Sequence, residues 1–249
     1  MKKLIIAASM VAVALTSNAQ DTYKFAAGDN NLEVGTAPFS GTPLTLPYIK
    51  YRRFLSESLA FRVGINLTMT SKSTMTAQKS NKAGAAADAM VDLTKKESSF
   101  GWEIAPGIEK HFAGTERLSP YVGAELRVAG KSSSSVSEFV SGADDKIGTL
   151  TVKNGAVDDK GVFTGNKGGF ISFGLNLVAG ADYYFAKRIY LGGEFGYGFG
   201  FTSFSDATSE NSAIVAPLKN PTPIKQGSEF GFGASLGSLQ GKLKLGFLF

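Results

Sequence analysis

The amino-acid sequence predicts an all-β fold: a closed antiparallel up-and-down transmembrane β-barrel of eight strands, with ten possible. Three observations predict it. Segments of ten or more residues alternate strictly between apolar and polar side chains, a period of two that no helical face can hold. Behind an apolar leader, no later apolar run approaches the roughly 18 residues of a membrane helix. Connections between the alternating segments are short and long by turns. An exported chain without helical spans can still cross a membrane if its strands close, because lipid offers a free strand edge no hydrogen-bond partner.

Taken in order, Met1-Lys2-Lys3, the apolar run Leu4–Leu15 and Thr16-Ser17-Asn18-Ala19-Gln20 read as a secretory signal peptide cleaved after Ala19. The mature barrel is expected over 20–249. Two weaker strands come first, Asn31–Ala37 and Leu46–Leu55, with Lys50 and Arg52 on the polar face of the second. The third, Leu59–Thr70, is the clearest: Leu59, Phe61, Val63, Ile65, Leu67 and Met69 oppose Ala60, Arg62, Gly64, Asn66, Thr68 and Thr70. The fourth, Ser99–Phe112, sets Phe100, Trp102, Ile104 and Ile108 against Glu103, Glu109 and His111. In the fifth, Val122, Ala124, Leu126 and Val128 oppose Tyr121, Gly123, Glu125 and Arg127. The sixth sets Ile171, Phe173, Leu175 and Leu177 against Ser172, Gly174, Asn176 and Asp182. The seventh sets Leu191, Phe195, Tyr197, Phe199 and Phe201 against Tyr190, Gly192 and Glu194. In the eighth, Leu239, Leu243, Leu245, Phe247 and Phe249 oppose Lys242 and Lys244. Phe230, Phe232 and Leu236 are out of phase with them, which predicts a bulge near Gly237.

Connections 56–58, 113–119 and 186–188 are short, 38–45 is intermediate, and 72–98, 132–168 and 205–228 are long. Short periplasmic turns and long external loops place both termini on the periplasmic side. Phe139–Val140 and Ile147–Val157 are the candidates for two further strands. Asn154-Gly155 reads as a hairpin turn in an extruded ribbon, and Ala83–Leu93 as a short helix.

The polar face carries the informative chemistry. Its acids are Glu33, Glu103, Glu109, Glu125, Asp182 and Glu194, and its bases are Lys50, Arg52, Arg62, Arg127, Lys242 and Lys244. Eight strands enclose a space that side chains fill, and enclosed charges must pair. The balance of six against six predicts an internal ion-pair network that plugs the lumen. Tyr48, Phe54, Trp102, Phe112, Tyr183, Tyr184, Phe185, Phe201, Phe247 and Phe249 cluster toward strand ends, as interfacial girdles do. A soluble sandwich alternates too, but girdles of this kind and the Gly, Ser and Asn on the polar face favour the barrel.

Composition excludes several function classes. With no cysteine, there is no lipid-bearing thiol, disulfide framework or thiolate metal site. A single histidine, His111, leaves no His-rich cluster, and a salt-bridged or interfacial histidine fits it better than a catalytic one. The net charge of +5 includes Lys2 and Lys3 and is dispersed, which speaks against nucleic acid as a partner. Gly196–Gly200 lies within an alternating strand rather than a phosphate loop, and Gly130-Lys131-Ser132 lacks a P-loop glycine because Glu125 stands in its place. Asp144-Asp145 and Asp158-Asp159 lack EF-hand spacing and read as solvated turn acids. No enzyme activity, cofactor or metal is expected.

With its leader, its eight alternating strands, Pro120-Tyr121-Val122-Gly123-Ala124-Glu125 and its terminal Leu245-Gly246-Phe247-Leu248-Phe249, the chain resembles the OmpA-like outer-membrane β-barrel superfamily, in particular small Bacteroidetes-type barrels. The resemblance implies a multi-pass protein of the Gram-negative outer membrane. It also implies that Phe247 and Phe249 form the C-terminal signal read by the insertion machinery. With nothing after Phe249, the peptidoglycan-binding domain of two-domain relatives is not carried over. The expected partners are outer-membrane lipid, lipopolysaccharide and another outer-membrane or surface protein. The expected function is structural or interactive, through surface loops; the alternative is a narrow pore or a transporter of small hydrophobic solutes.

Overall fold

The structure, a computed structural model, describes residues 23–36, 48–86, 88–140, 144–157, 163–164, 167–212, 223–232 and 242–249. The expected signal peptide, the bulge near Gly237 and Asp158-Asp159 lie outside these residues.

Eight strands form a ring: β1 (Asn30–Thr36), β2 (Tyr48–Phe54), β3 (Leu59–Lys79), β4 (Met90–His111) and β5 (Leu118–Val140) follow in order. Three short strands come next, β6 (Ile147–Lys153), β7 (Ala156–Val157) and β8 (Phe163–Thr164). The ring continues with β9 (Phe170–Ala186) on β5 and β10 (Ile189–Phe204) on β9. After β11 (Thr208–Asn211), the last ring position is shared by β12 (Ser228–Phe232) and β13 (Lys242–Leu248), both paired to β10. Antiparallel pairing of β13 with β1 brings the ring back to its start.

Along each ring strand, one parity faces outward and is apolar and exposed: Phe61, Ile65 and Leu67 on β3, Phe100, Ile104 and Ile108 on β4, Phe195, Tyr197 and Phe199 on β10. The other parity is buried, and much of it is charged. This inverts the soluble arrangement, in which charges face water and apolar groups fill the interior.

The strands outrun the expected elements. β3 and β4 pair from Leu59↔Lys110 to Lys79↔Met90, so most of 72–98 is sheet rather than loop, and the described residues of 83–93 hold no helix. β5 runs to Val140, and its far half pairs β6, which pairs β11. The 132–168 and 205–228 segments are therefore sheet in part. The extra strands stay out of the ring: the hairpin of β5 and β6 turns at Asp144 and Asp145, both with positive φ, and not at Asn154-Gly155. On β3, residues 71–79 are exposed on nearly every position of both faces, which removes the alternation by which a strand is recognised.

Between Phe199↔Phe232 and Glu194↔Lys242, β10 uses the four residues 195–198 where the returning chain uses the nine residues 233–241. The odd difference switches the outward parity from Phe230 to Leu243 and Leu245, both exposed.

Candidate functional site

Inside the ring, nine charged side chains meet, and every ring position contributes: Glu33 (β1), Lys50 and Arg52 (β2), Arg62 (β3), Glu109 (β4), Glu125 (β5), Asp182 (β9), Glu194 (β10) and Lys244 (β13). All are buried; Arg52, Arg62, Glu109 and Asp182 have no exposed surface. Alternation turns each of them inward, and the ladder register brings them to one level.

The arginines are the hubs. Arg52 reaches Glu109 at 2.9 Å, Asp182 at 2.9 Å and Glu33 at 3.1 Å, and its Nε donates to Asn31 Oδ1 at 2.9 Å. Arg62 reaches Glu109 at 2.5 Å, Glu125 at 2.6 Å and Glu194 at 3.0 Å. Lys50 joins Glu33 at 2.7 Å to Glu194 at 2.8 Å, and Lys244 joins Asp182 at 2.9 Å to Glu33 at 3.4 Å. In ring order, β3 stands opposite β10 and β2 opposite β9. The Arg62–Glu194 and Arg52–Asp182 contacts therefore cross the full width of the interior. A planar guanidinium with several donors suits such multi-carboxylate hubs better than an ammonium would.

Polar residues absent from the expected charge network complete it. Tyr190 donates to Glu33 at 2.7 Å and accepts a short hydrogen bond from Arg52. Tyr121 donates to Glu194 at 2.7 Å and accepts from Lys244 at 2.5 Å. His111 lies 3.2 Å from Glu109 through Nε2 and 2.9 Å from Ser119 Oγ through Nδ1. Tyr121 and Tyr190 were legible as aromatics on an otherwise polar parity. This acid–histidine–hydroxyl chain is an anchor in form: Ser119 is buried, and the Phe25 and Tyr121 rings pack on His111. Among the described residues, no group of three or more His, Cys, Asp or Glu is arranged to hold a metal ion.

Three of the twelve expected residues stand apart. Glu103 and Arg127 pair with each other at 2.7 Å, one-fifth exposed, nearer the long-connection end. Lys242 places its Nζ over the Tyr48 ring at 4.3 Å. The nine central residues carry five acids and four bases, so Lys242 is the nearby base that balances their formal charge.

Three supposed girdle aromatics point inward: Tyr48, Phe54 and Tyr184 are buried. Tyr48 lies across Gly64, Tyr121 across Gly180 and Tyr190 across Gly246, where a Cβ would come within 2.5 Å of the phenol group. Glycine on the polar parity thus makes room for neighbouring aromatic rings.

At the short-turn end, below the charges, Phe54, Ala60, Tyr184, Tyr190 and Leu248 form an apolar cluster on which Tyr23 and Phe25 pack. Phe25 stacks on Phe54 at 3.7 Å, Arg117 donates to Tyr23 Oη at 2.8 Å, and Asp29 pairs with Arg188 at 3.1 Å. The segment before β1 therefore lies over that mouth of the ring.

The sequence pattern described as "Putative OmpA-OmpF-like porin family" matches residues 48–205, more than half of the chain. Among solved structures, the chain is similar to Acinetobacter baumannii CarO, with 10% identity, a TM-score of 0.34 and coverage of 90% of this chain and 98% of that one. It is likewise similar to Acinetobacter baumannii CarO2, with 13% identity, a TM-score of 0.35 and coverage of 91% and 100%. No curated protein matches.

Proposed function

The chain belongs to the OmpA-OmpF-like porin family, and on that premise we propose that it is a closed outer-membrane β-barrel whose lumen is plugged by its own ion pairs. It acts structurally or by interaction, through the sheet and loops at its long-connection end. Residues 1–19 are a signal peptide removed on export. Both termini face the periplasm, and Phe247 and Phe249 belong to the insertion signal.

The observation that carries the plug is the pair of contacts spanning the ring, Arg62–Glu194 and Arg52–Asp182, among side chains with no more than 1% exposure. A water-filled path would have to separate these groups, and breaking such a pair by removing one partner costs about 3–5 kcal/mol. The outward apolar parity supports the membrane setting. On β3 it runs from Leu59 to Met69, the roughly 9–11 residues that a tilted strand needs to cross.

The test is conductance. Purified protein in planar bilayers is expected to show no steady channel, and proteoliposomes no solute-dependent swelling. Sustained conductance from the unaltered protein sinks the plug and favours the second reading, a narrow pore or a path for small hydrophobic solutes, which the family's description as porin-like supports.

A further inference from the structure

Inside the ring, the lumen changes character above the charge layer. Toward the long-connection end its inward positions are no longer sealed. Glu103 and Arg127 keep a fifth of their side-chain surface exposed, and Thr68 and Thr70 are exposed although their parity turns them inward. Across the ring, β3 and β4 face β10 and the position that β12 shares with β13. The inward residues there are Gly198, Gly200 and Gly231, with the Asn176 side chain lying across Gly198. One wall is therefore polar and the facing one is mostly main chain. The polar groups converge. Asn66 and Glu103 are direct ladder partners, which sets their Cβ atoms about 5 Å apart on one face. Asn66 Oδ1 is buried and has no hydrogen-bond partner among the described residues. Tyr48 Oη, lying across Gly64 at the next inward position of β3, is buried and unpartnered as well. Arg127 reaches Glu103 from β5 at 2.7 Å. Two acceptors, Glu103 and Asn66, thus stand beside one guanidinium, and a buried acceptor is costly to leave unmade.

We propose that this upper lumen is a cup that binds a small zwitterion, with an ammonium and a carboxylate a few atoms apart as in a free amino acid. The ammonium donates to Glu103 and to Asn66 Oδ1, and Arg127 donates to the carboxylate through its planar fork. The ligand inserts into the Glu103–Arg127 pair and so exchanges one ion pair for two. Formal charge favours a zwitterion over a simple ion. The nine central residues with Lys242 sum to zero, and so do Glu103 and Arg127; a ligand of net charge would bring an enclosed charge with no counter-charge. The charge layer beneath closes the cup, so the zwitterion is held rather than passed. The proposal rests on the closed-ring reading above.

The probe is alanine, titrated calorimetrically into the full chain folded in detergent micelles, with folding read from the compact gel band of unheated protein. Saturable binding is expected. Alaninamide lacks the carboxylate and N-acetylalanine lacks the ammonium. Each should bind at least roughly tenfold more weakly than alanine, the worth of one hydrogen bond to a charged group. Glu103→Gln, Arg127→Gln and Asn66→Ala should each weaken alanine binding by a similar factor. The two analogues probe the unaltered chain, so the outcome does not depend on any variant's folding. Equal affinity for the three compounds overturns the proposal, as do equal affinities across compact variants, or a compact protein that binds no alanine. A chain that never gives the compact band overturns the closed-ring reading and this one together. Alanine-dependent swelling of proteoliposomes by a protein that binds as expected overturns the plug and leaves the binding site standing.

Discussion

Arg52 and Arg127 have the same side chain and both contact carboxylates, yet their surroundings differ. Arg52 is sealed among Glu33, Glu109 and Asp182, whereas Arg127 and Glu103 keep a fifth of their surface in solvent. Arg52→Ala takes one cation from three buried carboxylates, which keep Lys50, Lys244 and Arg62, and leaves the sealed layer one positive charge short; it should cost about 3–5 kcal/mol. Arg127→Ala breaks a screened pair and should cost about 1 kcal/mol or less. Urea unfolding in lipid vesicles separates the two, and equal losses would mean that the network is hydrated. A second residue-scale prediction concerns the glycines beneath the aromatics. Gly180→Val and Gly246→Val would drive a side chain into Tyr121 and Tyr190, an overpacking cost of about 1–3 kcal/mol. Gly28, which has open space where a Cβ would stand but a φ of +92°, should respond to alanine through backbone strain instead. Membership of the charge network was readable because parity alone sends Lys50, Arg52 and Arg62 inward. Partner choice was not, since it depends on which strands stand opposite each other across the closed ring. Phe54 and Tyr184 were misjudged as girdle residues because their position near strand ends outweighed their inward parity.

The long hairpins behave as elements in their own right. The β3–β4 tip is joined to the β5–β6 tip through Asp145, whose carboxylate accepts from Ser80 Oγ at 2.7 Å and from the Asn81 N–H at 2.8 Å. The Asp145 N–H donates back to Asn81 Oδ1 at 3.0 Å. The Ser80 hydroxyl foremost holds the Asp145 carboxyl below the usual aspartate range; desolvation opposes it, and the Asn81 N–H and nearby Lys82 add to it. A depressed carboxylate pKa contributes stability that is present above the ordinary aspartate value and lost as pH falls through the folded-state value. The tips should therefore stay joined at neutral pH and separate in acid, read by spin-label distances between them. Asp145→Asn should remove most of that pH response; a distance independent of pH in the unaltered protein would show that the clasp does not hold the tips. These hairpins also mark where the sequence ceased to be legible. Leu59–Thr70 was readable because lipid and lumen impose opposite chemistry on its two faces. From Ser71 to Lys79 both faces are exposed, so Ser, Thr and Lys serve either side equally well and the ladder leaves no periodic trace. Phe139–Val140 and Ile147–Val157 were candidates for two further strands; β5 pairs β6 (Ile147–Lys153) there, outside the ring, as an extruded ribbon would. β5 exchanges β9 for β6 as its neighbour between Lys131 and Ser134, at a fork held by Asn154, whose Oδ1 accepts from the Ser133 N–H at 3.2 Å.

On the plugged reading proposed above, two barriers stand in series across the whole molecule: the charge layer toward the short-turn end of the ring, and the Tyr23–Asp29 segment over that mouth. They differ in kind. The first is assembled from all eight ring positions and cannot be withdrawn without unfolding the wall. The second is a single stretch of chain held by the Phe25–Phe54 stack, the Arg117–Tyr23 contact and the Asp29–Arg188 pair. Phe25→Ala removes a half-buried ring and should cost about 2 kcal/mol, lowering the temperature at which the compact gel band converts to the slow one. Conductance should nevertheless stay at baseline, because the Arg62–Glu194 and Arg52–Asp182 contacts still fill the section above. Replacing Arg62 and Glu194 together by alanine removes an opposite pair without stranding one member against the other. That variant, with the stopper intact, should also conduct little; combined with Phe25→Ala it should open a measurable pore. This non-additivity is the signature of barriers in series. Conductance from Phe25→Ala alone would show instead that ions already pass the charged layer and that the N-terminal segment is the barrier.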